Sequence, residues 1–284
     1  MDGKIRDALL LPFIALCALA TSGCESLLFR FANRGLPPPE ATVTYASDRA
    51  LALDVYRPTA AASEGAAPVV VFFYGGAWRS GERWHYRFVG RRLARNGVLA
   101  IVADYRTFPD ARFPGFMDDA ARAVAWTHRH AGEHGGDPAR LYLAGHSAGA
   151  HIAALLATDP RHLAAHHLAP ADLAGVVGLA GPYDFEVGTE FRDIFGPPSA
   201  WADAQPVNFV DGDEPPFLLV HGTGDRRVEA RDSRQMAEAL RAAGVPVELL
   251  LLPGGGHDAP LWGLYDPVRE PTVLPGILDF VRSR

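Results

Sequence analysis

The stretch Gly145–Gly149, with the sequence Gly-His-Ser-Ala-Gly, could present a reactive serine. The apolar run Leu141–Ala144 before it predicts a short strand, and the Ala- and Leu-rich run Ala148–Ala157 after it predicts a buried helix. A strand passes into a helix within one tight turn only where the flanking residues are small, and the two glycines meet that condition. Such a turn exposes the Ser147 hydroxyl beside free N–H groups of the helix, which favours a nucleophile over a merely tight turn.

A serine hydroxyl is a weak nucleophile at neutral pH and needs a base within hydrogen-bond reach. In enzymes with this turn, the acid and the histidine follow the serine along the chain. His257 lies in a Gly-rich loop directly after the last predicted strand, and Asp225 follows the preceding predicted strand. We therefore predict a catalytic triad of Ser147, His257 and Asp225. The weaker candidates for the acid are Asp258, Asp184 and Asp211.

The remaining histidines are poorer candidates for the base. His146 and His151 flank the serine too closely in sequence, and His221 precedes the candidate acid, which is the wrong order. The others lie on or near polar helix faces and are predicted to face solvent: His85, His128, His130, His134, His162, His166 and His167.

A tetrahedral intermediate on the serine needs backbone donors for its negatively charged oxygen. The amide of Ala148, directly after the serine, is one candidate. Another predicted strand, Pro68–Tyr74, leads into Gly-Gly-Ala-Trp, where two glycines let the backbone approach a substrate closely. We predict that Gly76 and Ala77 supply the other donors of this oxyanion hole.

Four motifs together resemble the α/β-hydrolases, in the esterase/lipase group near the hormone-sensitive-lipase-like and feruloyl-esterase-like carboxylesterases. They are the serine turn, the Gly-Gly-Ala-Trp loop, Gly-Pro-Tyr-Asp at Gly181–Asp184 and His-Gly-x-x-Asp-x-x-Val at His221–Val228. The resemblance covers most of the chain from about Ala41 onward. It implies an α/β-hydrolase fold and a serine hydrolase that cleaves carboxylic esters through an acyl-enzyme. One residue departs from the pattern: the family's usual histidine before the two glycines is Tyr74 here, so the rigidity or specificity of the hole can differ.

Strand and helix patterns alternate from residue 41 to residue 284 and predict one α/β domain, with a mostly parallel sheet of about eight strands covered by helices on both faces. The predicted strands are Ala41–Tyr45, Leu51–Tyr56, Pro68–Tyr74, Val98–Ala103, Leu141–Ala144, Gly175–Ala180, Phe217–His221 and Val247–Leu252. The predicted helices are Glu82–Asn96, Gly115–Ala131, Ala148–Ala157, Glu229–Ala243 and Thr272–Arg282. Gly181–Pro216 has no clear periodicity and is either a partial lid or an ordinary excursion between strands.

Composition excludes several functions. The formal net charge of −6 leaves no electrostatic footprint for nucleic acid, and we expect none as a partner. Lys4 is the only lysine, which argues against a Schiff base, a pyridoxal phosphate anchor and a phosphate-loop lysine. We expect no cofactor and no metal. We interpret the clustered arginines from Arg83 to Arg95 as a solvated helix face, with a site for an anionic ligand as the less favoured alternative.

The N-terminus predicts export. Lys4 and Arg6 precede the apolar run Ala8–Ala20, and Thr21–Cys24 resembles the lipobox of a bacterial lipoprotein. We therefore predict a signal peptide over residues 1–23, a lipidated Cys24, a linker over residues 24–40 and a catalytic domain over residues 41–284. The protein would then be anchored to a membrane of the bacterial cell envelope. An ordinary cleaved signal or an uncleaved anchor is the alternative.

The predicted substrate is a small-molecule acyl ester. Two other functions stay open from the sequence: an amide hydrolase with the same triad, such as an arylformamidase or a small peptidase, and a non-catalytic binding protein of the envelope. The sequence does not indicate acyl-chain length, oligomeric state or which membrane holds the protein.

Overall fold

A computed structural model describes residues 28–59 and 65–283 of the chain, so the predicted signal peptide and Cys24 lie outside the described residues. Eight strands of this part form one sheet in the order β1-β2-β4-β3-β5-β6-β7-β8. Their bounds are β1 Ala41–Ala46, β2 Leu51–Tyr56, β3 Ala67–Phe73, β4 Leu99–Ala103, β5 Gly136–His146, β6 Gly175–Leu179, β7 Phe217–Gly222 and β8 Val247–Leu252. Strands β3 to β8 are parallel, while β2 runs antiparallel to both β1 and β4. The predicted mostly parallel sheet is confirmed.

Burial explains why these segments are strands. Every residue of β3, β4 and β6 is buried, as expected for parallel strands that are covered on both faces. The edge strand β1 alternates between half-buried and exposed positions instead. The central strands of the sheet therefore lie in a continuous apolar core. Their carboxyl ends are where functional loops assemble in open α/β folds.

The helices follow the predictions closely, with one correction. They are α1 Arg87–Arg95, α2 Gly115–His130, α3 Ala148–Thr158, α4 Pro160–Ala164, α5 Arg192–Phe195, α6 Ala230–Ala242, α7 Ala259–Tyr265 and α8 Val273–Arg282. The single helix predicted over Glu82–Asn96 is wrong in its first turn, because Arg83–Tyr86 is a separate 3₁₀ turn. The Arg83 backbone amide and guanidinium both bind Asp104, which ties this turn to the end of β4. Among the described residues, no helix is both long and apolar enough to cross a membrane.

The arginine cluster is not simply a solvated helix face. Arg83 pairs with Asp54 and Asp104, and Arg91 is 5% exposed and pairs with Glu40 at 2.6 Å. The sequence pattern could not show this, because each carboxylate comes from a distant part of the chain.

The described part of the predicted linker packs onto the domain. Residues 28–32 form a helical turn, after which the buried Asn33 side chain makes three hydrogen bonds. Its Nδ2 donates to the carbonyl oxygens of Trp84 at 2.9 Å and His85 at 3.0 Å, and its Oδ1 accepts from the Phe88 amide at 2.9 Å. The Phe29 ring stacks on His85 at a centroid distance of 4.6 Å. These contacts fix residues 29–33 against the Arg83–Tyr86 turn.

The turn from β5 into α3 depends on two glycines. A Cβ on Gly145 would overlap the carbonyl group of Gly149, and a Cβ on Gly149 would overlap the carbonyl oxygen of Phe73 at the end of β3. Helix α3, which is buried along its whole length, can therefore approach both β5 and β3 only because these positions lack side chains. This packing fixes the place of Ser147 in the fold.

We expect Gly149→Ala to lower the free energy of unfolding by about 1–3 kcal/mol or more, because its methyl group would overlap backbone that cannot move away. Urea denaturation measures the change. Gly132→Ala is the matched control, since a Cβ there meets nothing within 4 Å. Equal stability of the two variants would contradict the close approach of α3 to β3.

Candidate active site

Ser147 occupies a strained turn between β5 and α3. Its backbone has φ 54° and ψ −120°, a conformation that residues with a side chain adopt rarely and mostly at functional sites. The Ser147 amide donates to the carbonyl oxygen of Leu179 at 2.8 Å, so the end of β6 holds the turn in place. The residue is partly exposed and lines the pocket of about 930 Å³ described below. This geometry is the one expected of a serine presented for reaction.

Asp225 and His257 meet although 32 residues separate them. The His257 Nδ1 atom lies 2.7 Å from the Asp225 Oδ2 atom. Their loops follow β7 and β8, which are neighbours in the sheet, and a Cβ on Gly222 would overlap the carbonyl oxygen of Gly255. Glycines in both loops therefore let the two backbones pack closely enough for this side-chain contact.

Asp225 is held as a carboxylate. Its Oδ1 accepts from the backbone amides of Arg227 at 2.8 Å and Val228 at 3.1 Å, and its Oδ2 faces both His257 and His221. Burial by itself would raise the pKa of Asp225, but the hydrogen bonds from His221 and His257 outweigh it and hold this pKa well below its usual range. A permanently ionised carboxylate can orient the imidazole and stabilise its charged form.

Sequence reasoning gave His221 no role, yet it is part of this network. It has no exposed surface, and its Nε2 lies 3.2 Å from Asp225 Oδ2 and 3.0 Å from the carbonyl oxygen of Val228. Because a carbonyl oxygen only accepts, Nε2 carries the proton and donates, while Nδ1 accepts from the Ser233 hydroxyl at 2.7 Å. In the sequence, the four-residue spacing between His221 and Asp225 is the signal that could have indicated this contact.

His146, directly before the serine, holds the His257 loop. Its Nε2 donates to the carbonyl oxygen of His257 at 3.1 Å. Burial, assisted by the nearby His257, lowers the pKa of His146 to about 3, so the ring is neutral at neutral pH. The same hydrogen bond connects the β5 end, which carries the serine, to the loop that carries the histidine.

The predicted oxyanion-hole loop lines the same pocket as Ser147. Gly76 and Ala77 have φ values of 134° and 53°, and a Cβ on Gly76 would overlap the carbonyl oxygen of Ser80. The neighbouring Gly75 amide is already used, since it donates to the Tyr86 hydroxyl at 3.2 Å.

The three predicted donor amides, those of Gly76, Ala77 and Ala148, have no acceptor within hydrogen-bond distance in the described part of the chain. Ala148 is the first residue of α3, where the backbone amides of a helix lack partners within the helix. These amides are therefore available to a ligand.

Tyr74 braces this loop where the resembling enzymes have a histidine. Its hydroxyl donates to the carbonyl oxygen of Tyr105 at 3.1 Å, and the Tyr105 hydroxyl donates back to the Tyr74 carbonyl oxygen at 2.8 Å. The two rings stack at a centroid distance of 4.5 Å. The substitution thus keeps a rigid support under the two glycines.

The pocket around Ser147 has a volume of about 930 Å³ and two apolar walls. The first wall consists of Trp78, Phe185 and Phe191, and the second wall includes Leu28, Phe29, Leu261, Trp262 and Tyr265. The stretch 181–216 forms part of the first wall and is pinned by Gln205, whose side chain bonds the amide and the carbonyl oxygen of Phe185 at 2.9 and 3.1 Å. Buried His151 also donates to the Ala204 carbonyl oxygen at 2.7 Å.

Ser147 and His257 line this pocket together, but the structure has no hydrogen bond between the Ser147 hydroxyl and the His257 ring. In structures without substrate this contact is often long or poorly aligned, and it tightens in the complex. Of the weaker acid candidates, Asp258 is exposed and does not bond the ring. The Asp184 amide donates to the Asp232 carboxylate and the Asp211 carboxylate accepts from the Asp213 amide, and neither residue bonds the His257 ring in the described part of the chain.

Six of the seven histidines predicted to face solvent are partly buried instead, and His167 is exposed as predicted. The six are His85, His128, His130, His134, His162 and His166.

The sequence model of a family described as BD-FAE matches residues 53–240. The chain belongs to the BD-FAE family. Its predicted resemblance to the esterase/lipase group of α/β-hydrolases is confirmed. Relatives with curated names support the same group: the chain is 35% identical to Esterase LipC of Mycobacterium tuberculosis, over 85% of this chain and 64% of that protein. It is 31% identical to Isoprenylcysteine alpha-carbonyl methylesterase ICME of Arabidopsis thaliana, over 80% of this chain and 58% of that protein.

Solved structures agree on the fold of this BD-FAE member. A thermophilic esterase from the planctomycete Thermogutta terrifontis, with propionate bound, superposes with a TM-score of 0.76 at 26% identity, covering 88% of this chain and 95% of that one. The chain spans about six tenths of the length of the curated relatives it matches. The names of these relatives describe esterases, and they support the predicted enzyme class, carboxylic ester hydrolase.

The charge state of Asp225 predicts a pH-dependent stability. In the folded protein its pKa is depressed, whereas the unfolded chain takes up the proton near its usual pKa of about 3.9. The resulting stabilisation is present above that value and lost as the pH falls towards the folded-state pKa. We expect the free energy of unfolding of the wild type to fall more steeply than that of Asp225→Asn between about pH 5 and pH 2.

Asp258→Asn is the matched control, because this exposed neighbour of His257 loses the same charge without breaking the buried network. Urea denaturation at each pH gives the three curves. A wild-type curve parallel to that of Asp225→Asn would show that Asp225 is not held as a carboxylate.

Proposed function

We propose that this protein is a serine hydrolase that cleaves carboxylic esters through an acyl-enzyme, with Ser147, His257 and Asp225 as its triad. The observation that supports the proposal most is the shared site. A serine on a strained strand-to-helix turn lines one pocket with a histidine whose Nδ1 contacts a buried carboxylate at 2.7 Å. The names of the relatives, which are esterases, point to an ester as the bond that is cleaved.

In the first half of the reaction, the Ser147 Oγ atom attacks the ester carbonyl carbon while the Nε2 atom of His257 takes the hydroxyl proton. The Nδ1–H group of the ring donates to the Asp225 carboxylate, which fixes the tautomer and stabilises the imidazolium. The negatively charged oxygen accepts from the amides of Gly76, Ala77 and Ala148. His257 then returns the proton to the leaving alcohol, and the acyl group stays on the serine.

In the second half, water takes the place of the alcohol. His257 removes a proton from the water, the resulting nucleophile attacks the acyl-enzyme, and the proton returns to the Ser147 oxygen as the carboxylic acid leaves. The buried bonds from His146 and His221 keep the ring and its partner carboxylate in place through both halves. This pre-positioning is what a rapid proton transfer requires.

Pocket shape supports a substrate with apolar groups on both sides of the ester. At about 930 Å³ the pocket lies within the range of small-molecule sites, and aromatic side chains line both of its walls. One wall can take the acyl group and the other the alcohol. The same triad could act on an amide, so matched ester and anilide substrates with one acyl group are to be compared.

Ser147→Ala is expected to abolish labelling by a fluorophosphonate and to lower the turnover of p-nitrophenyl butyrate by at least about 10⁴-fold. The reason is that the variant keeps the pocket and loses only the nucleophile. Ser80→Ala is the control for labelling, because Ser80 also lines the pocket and should leave the reactive serine intact. A folded wild-type protein that neither reacts nor turns over ester would instead support the non-catalytic binding protein.

Phe29→Ala is expected to change which esters are accepted. The Phe29 ring belongs to the second wall, so its loss removes apolar contact from bulky substrates only. Two pairs of esters test this: p-nitrophenyl acetate and octanoate differ in the acyl group, and methyl and benzyl butyrate differ in the alcohol. We expect kcat/KM for the bulky member of one pair to fall about 10-fold. The small member should stay within about threefold.

Phe31→Ala is the matched control for this experiment. Phe31 lies on the same helical turn but is 65% exposed and does not line the substrate pocket. A uniform loss of activity over all esters, or equal effects of the two variants, would contradict a role of Phe29 in substrate selection.

We propose also that the chain is exported to the bacterial cell envelope and anchored to a membrane by a lipid on Cys24. The support is the sequence alone: the basic start, the apolar run Ala8–Ala20 and the lipobox-like Thr21–Cys24. The intact mass of the membrane-bound protein should correspond to an acylated chain that begins at Cys24. A chain that retains residues 1–23, or a soluble unmodified one, would rule the anchor out.

A further inference from the structure

A second cleft, of about 330 Å³, lies beside the substrate pocket. It is bounded by the N-terminal residues 31–36, helix α1 and the end of helix α7. Phe31, Leu36 and Leu264 contribute its apolar surface. Phe88 and Tyr265 line both the cleft and the substrate pocket, so the two open next to each other.

Four arginines line this cleft, and two of them have partners. Arg91 pairs with Glu40 at 2.6 Å. Arg92 donates to the carbonyl oxygens of Leu264 at 2.8 Å and Tyr265 at 2.7 Å, which satisfies the end of α7 without neutralising the guanidinium charge. The positive charge of Arg92 therefore stays in the cleft.

The other two arginines, Arg34 and Arg95, are exposed and have no carboxylate within 4.0 Å in the described ranges 28–59 and 65–283. The acidic residue in the cleft is Asp266, which already accepts from the Val268 amide at 3.2 Å and pairs with Arg269 at 3.7 Å. Burial and the charge of Arg95 lower the pKa of Arg92, and the charge of Asp266 offsets only part of this effect. The positive charge of the arginines in the cleft therefore exceeds the negative charge beside them.

An exposed apolar side chain, that of Phe31, lines the same cleft as these arginines. The large hydrophobic residues that the structure describes as exposed are Leu28, Phe31 and Val268, at 60%, 65% and 87%. Phe31 lines the cleft, and Val268 follows the cleft residue Asp266 by two positions. Scattered exposed apolar residues are ordinary, but here those of the described chain lie on residues 28–31 and on the turn after α7, and Phe31 shares the cleft with the unpaired Arg34 and Arg95.

We propose that this cleft binds the phosphate group of an amphiphilic lipid, with Arg34 and Arg95 on the phosphate and Phe31 against the apolar chain. Guanidinium groups bind phosphate oxygens in a fixed fork and are less strongly hydrated than ammonium groups, so they suit a site at an apolar border. A lipid bound there lies next to the mouth of the substrate pocket. The proposal does not depend on the triad.

The test uses the full-length chain in three forms: wild type, Arg34→Gln with Arg95→Gln, and the control Arg129→Gln with Arg241→Gln. The control pair is exposed on α2 and α6 and removes the same charge elsewhere. Isothermal titration with monomeric dihexanoyl phosphatidylglycerol and with inorganic phosphate measures the site itself. Co-sedimentation with vesicles of phosphatidylcholine, with and without phosphatidylglycerol, measures binding to a bilayer.

The cleft variant is expected to bind phosphatidylglycerol roughly 10- to 30-fold more weakly than the wild type, and the control less than about twofold more weakly. The residues before Leu28 are the same in all forms, whether or not the signal peptide has been removed, so any affinity of their own for vesicles is common to every form. Arg34→Lys with Arg95→Lys, which keeps the charge, should retain part of the affinity and excludes a folding defect. Binding to vesicles but not to monomers would identify the bilayer as the source of the lipid, and binding to both would identify the free lipid.

Equal affinities of the cleft variant and the control would overturn the proposal. So would inorganic phosphate that binds as tightly as the lipid, because the apolar part of the cleft would then contribute nothing. Unchanged unfolding temperatures across the forms ensure that a loss of binding reflects the lost guanidinium groups rather than a lost fold.

Discussion

The close approach of helix α3 to the ends of β3 and β5 is the contact on which the site depends. At Gly145 and Gly149 backbone meets backbone with no room for a side chain, so the chain must turn sharply between strand and helix. Ser147 takes the strain of that turn in its positive φ, a conformation that costs of order 1–3 kcal/mol. The burial of every residue of α3 offsets this cost, because it removes the apolar surface of the helix from water.

Near the serine, hydrogen bonds among three histidines and one carboxylate connect the chain segments that follow β5, β7 and β8. Ser233, His221, Asp225, His257 and His146 follow each other through hydrogen bonds that join β7, β8 and β5. Of these, His257 and His146 line the pocket, while Ser233, His221 and Asp225 are buried and restrict the position of His257 from behind. The arrangement shows why the loops are rich in glycine: side chains at the tips would keep the backbones too far apart for these bonds to form.

Local patterns were enough to predict the sheet, most helices and the residues that the structure brings together at the site. Buried parallel strands are apolar along their whole length, and Ser147 and His257 each lie beside glycines in the sequence. Contacts over long separations were beyond such patterns. Asn33 contacts residues more than 50 positions away, and the prolines after it suggested a spacer, so its part in fixing the pocket wall could not be predicted. As candidate bases, His221 has the wrong chain order and His146 lies too close to the serine in sequence, and neither criterion shows whether a residue supports the triad from behind.

The two histidines buried around α3 give the protein a sensitivity to acid that is separate from its chemistry. Burial lowers the pKa of His146 to about 3 and that of His151 to about 4, and each ring leaves its Nδ1 without a hydrogen-bond partner. The unfolded chain binds protons at these rings near pH 6.5, whereas the folded chain does not until the pH is far lower. Proton uptake at these rings therefore favours unfolding as the pH drops below about 6.5, so the segment that presents the serine also makes the fold sensitive to acid.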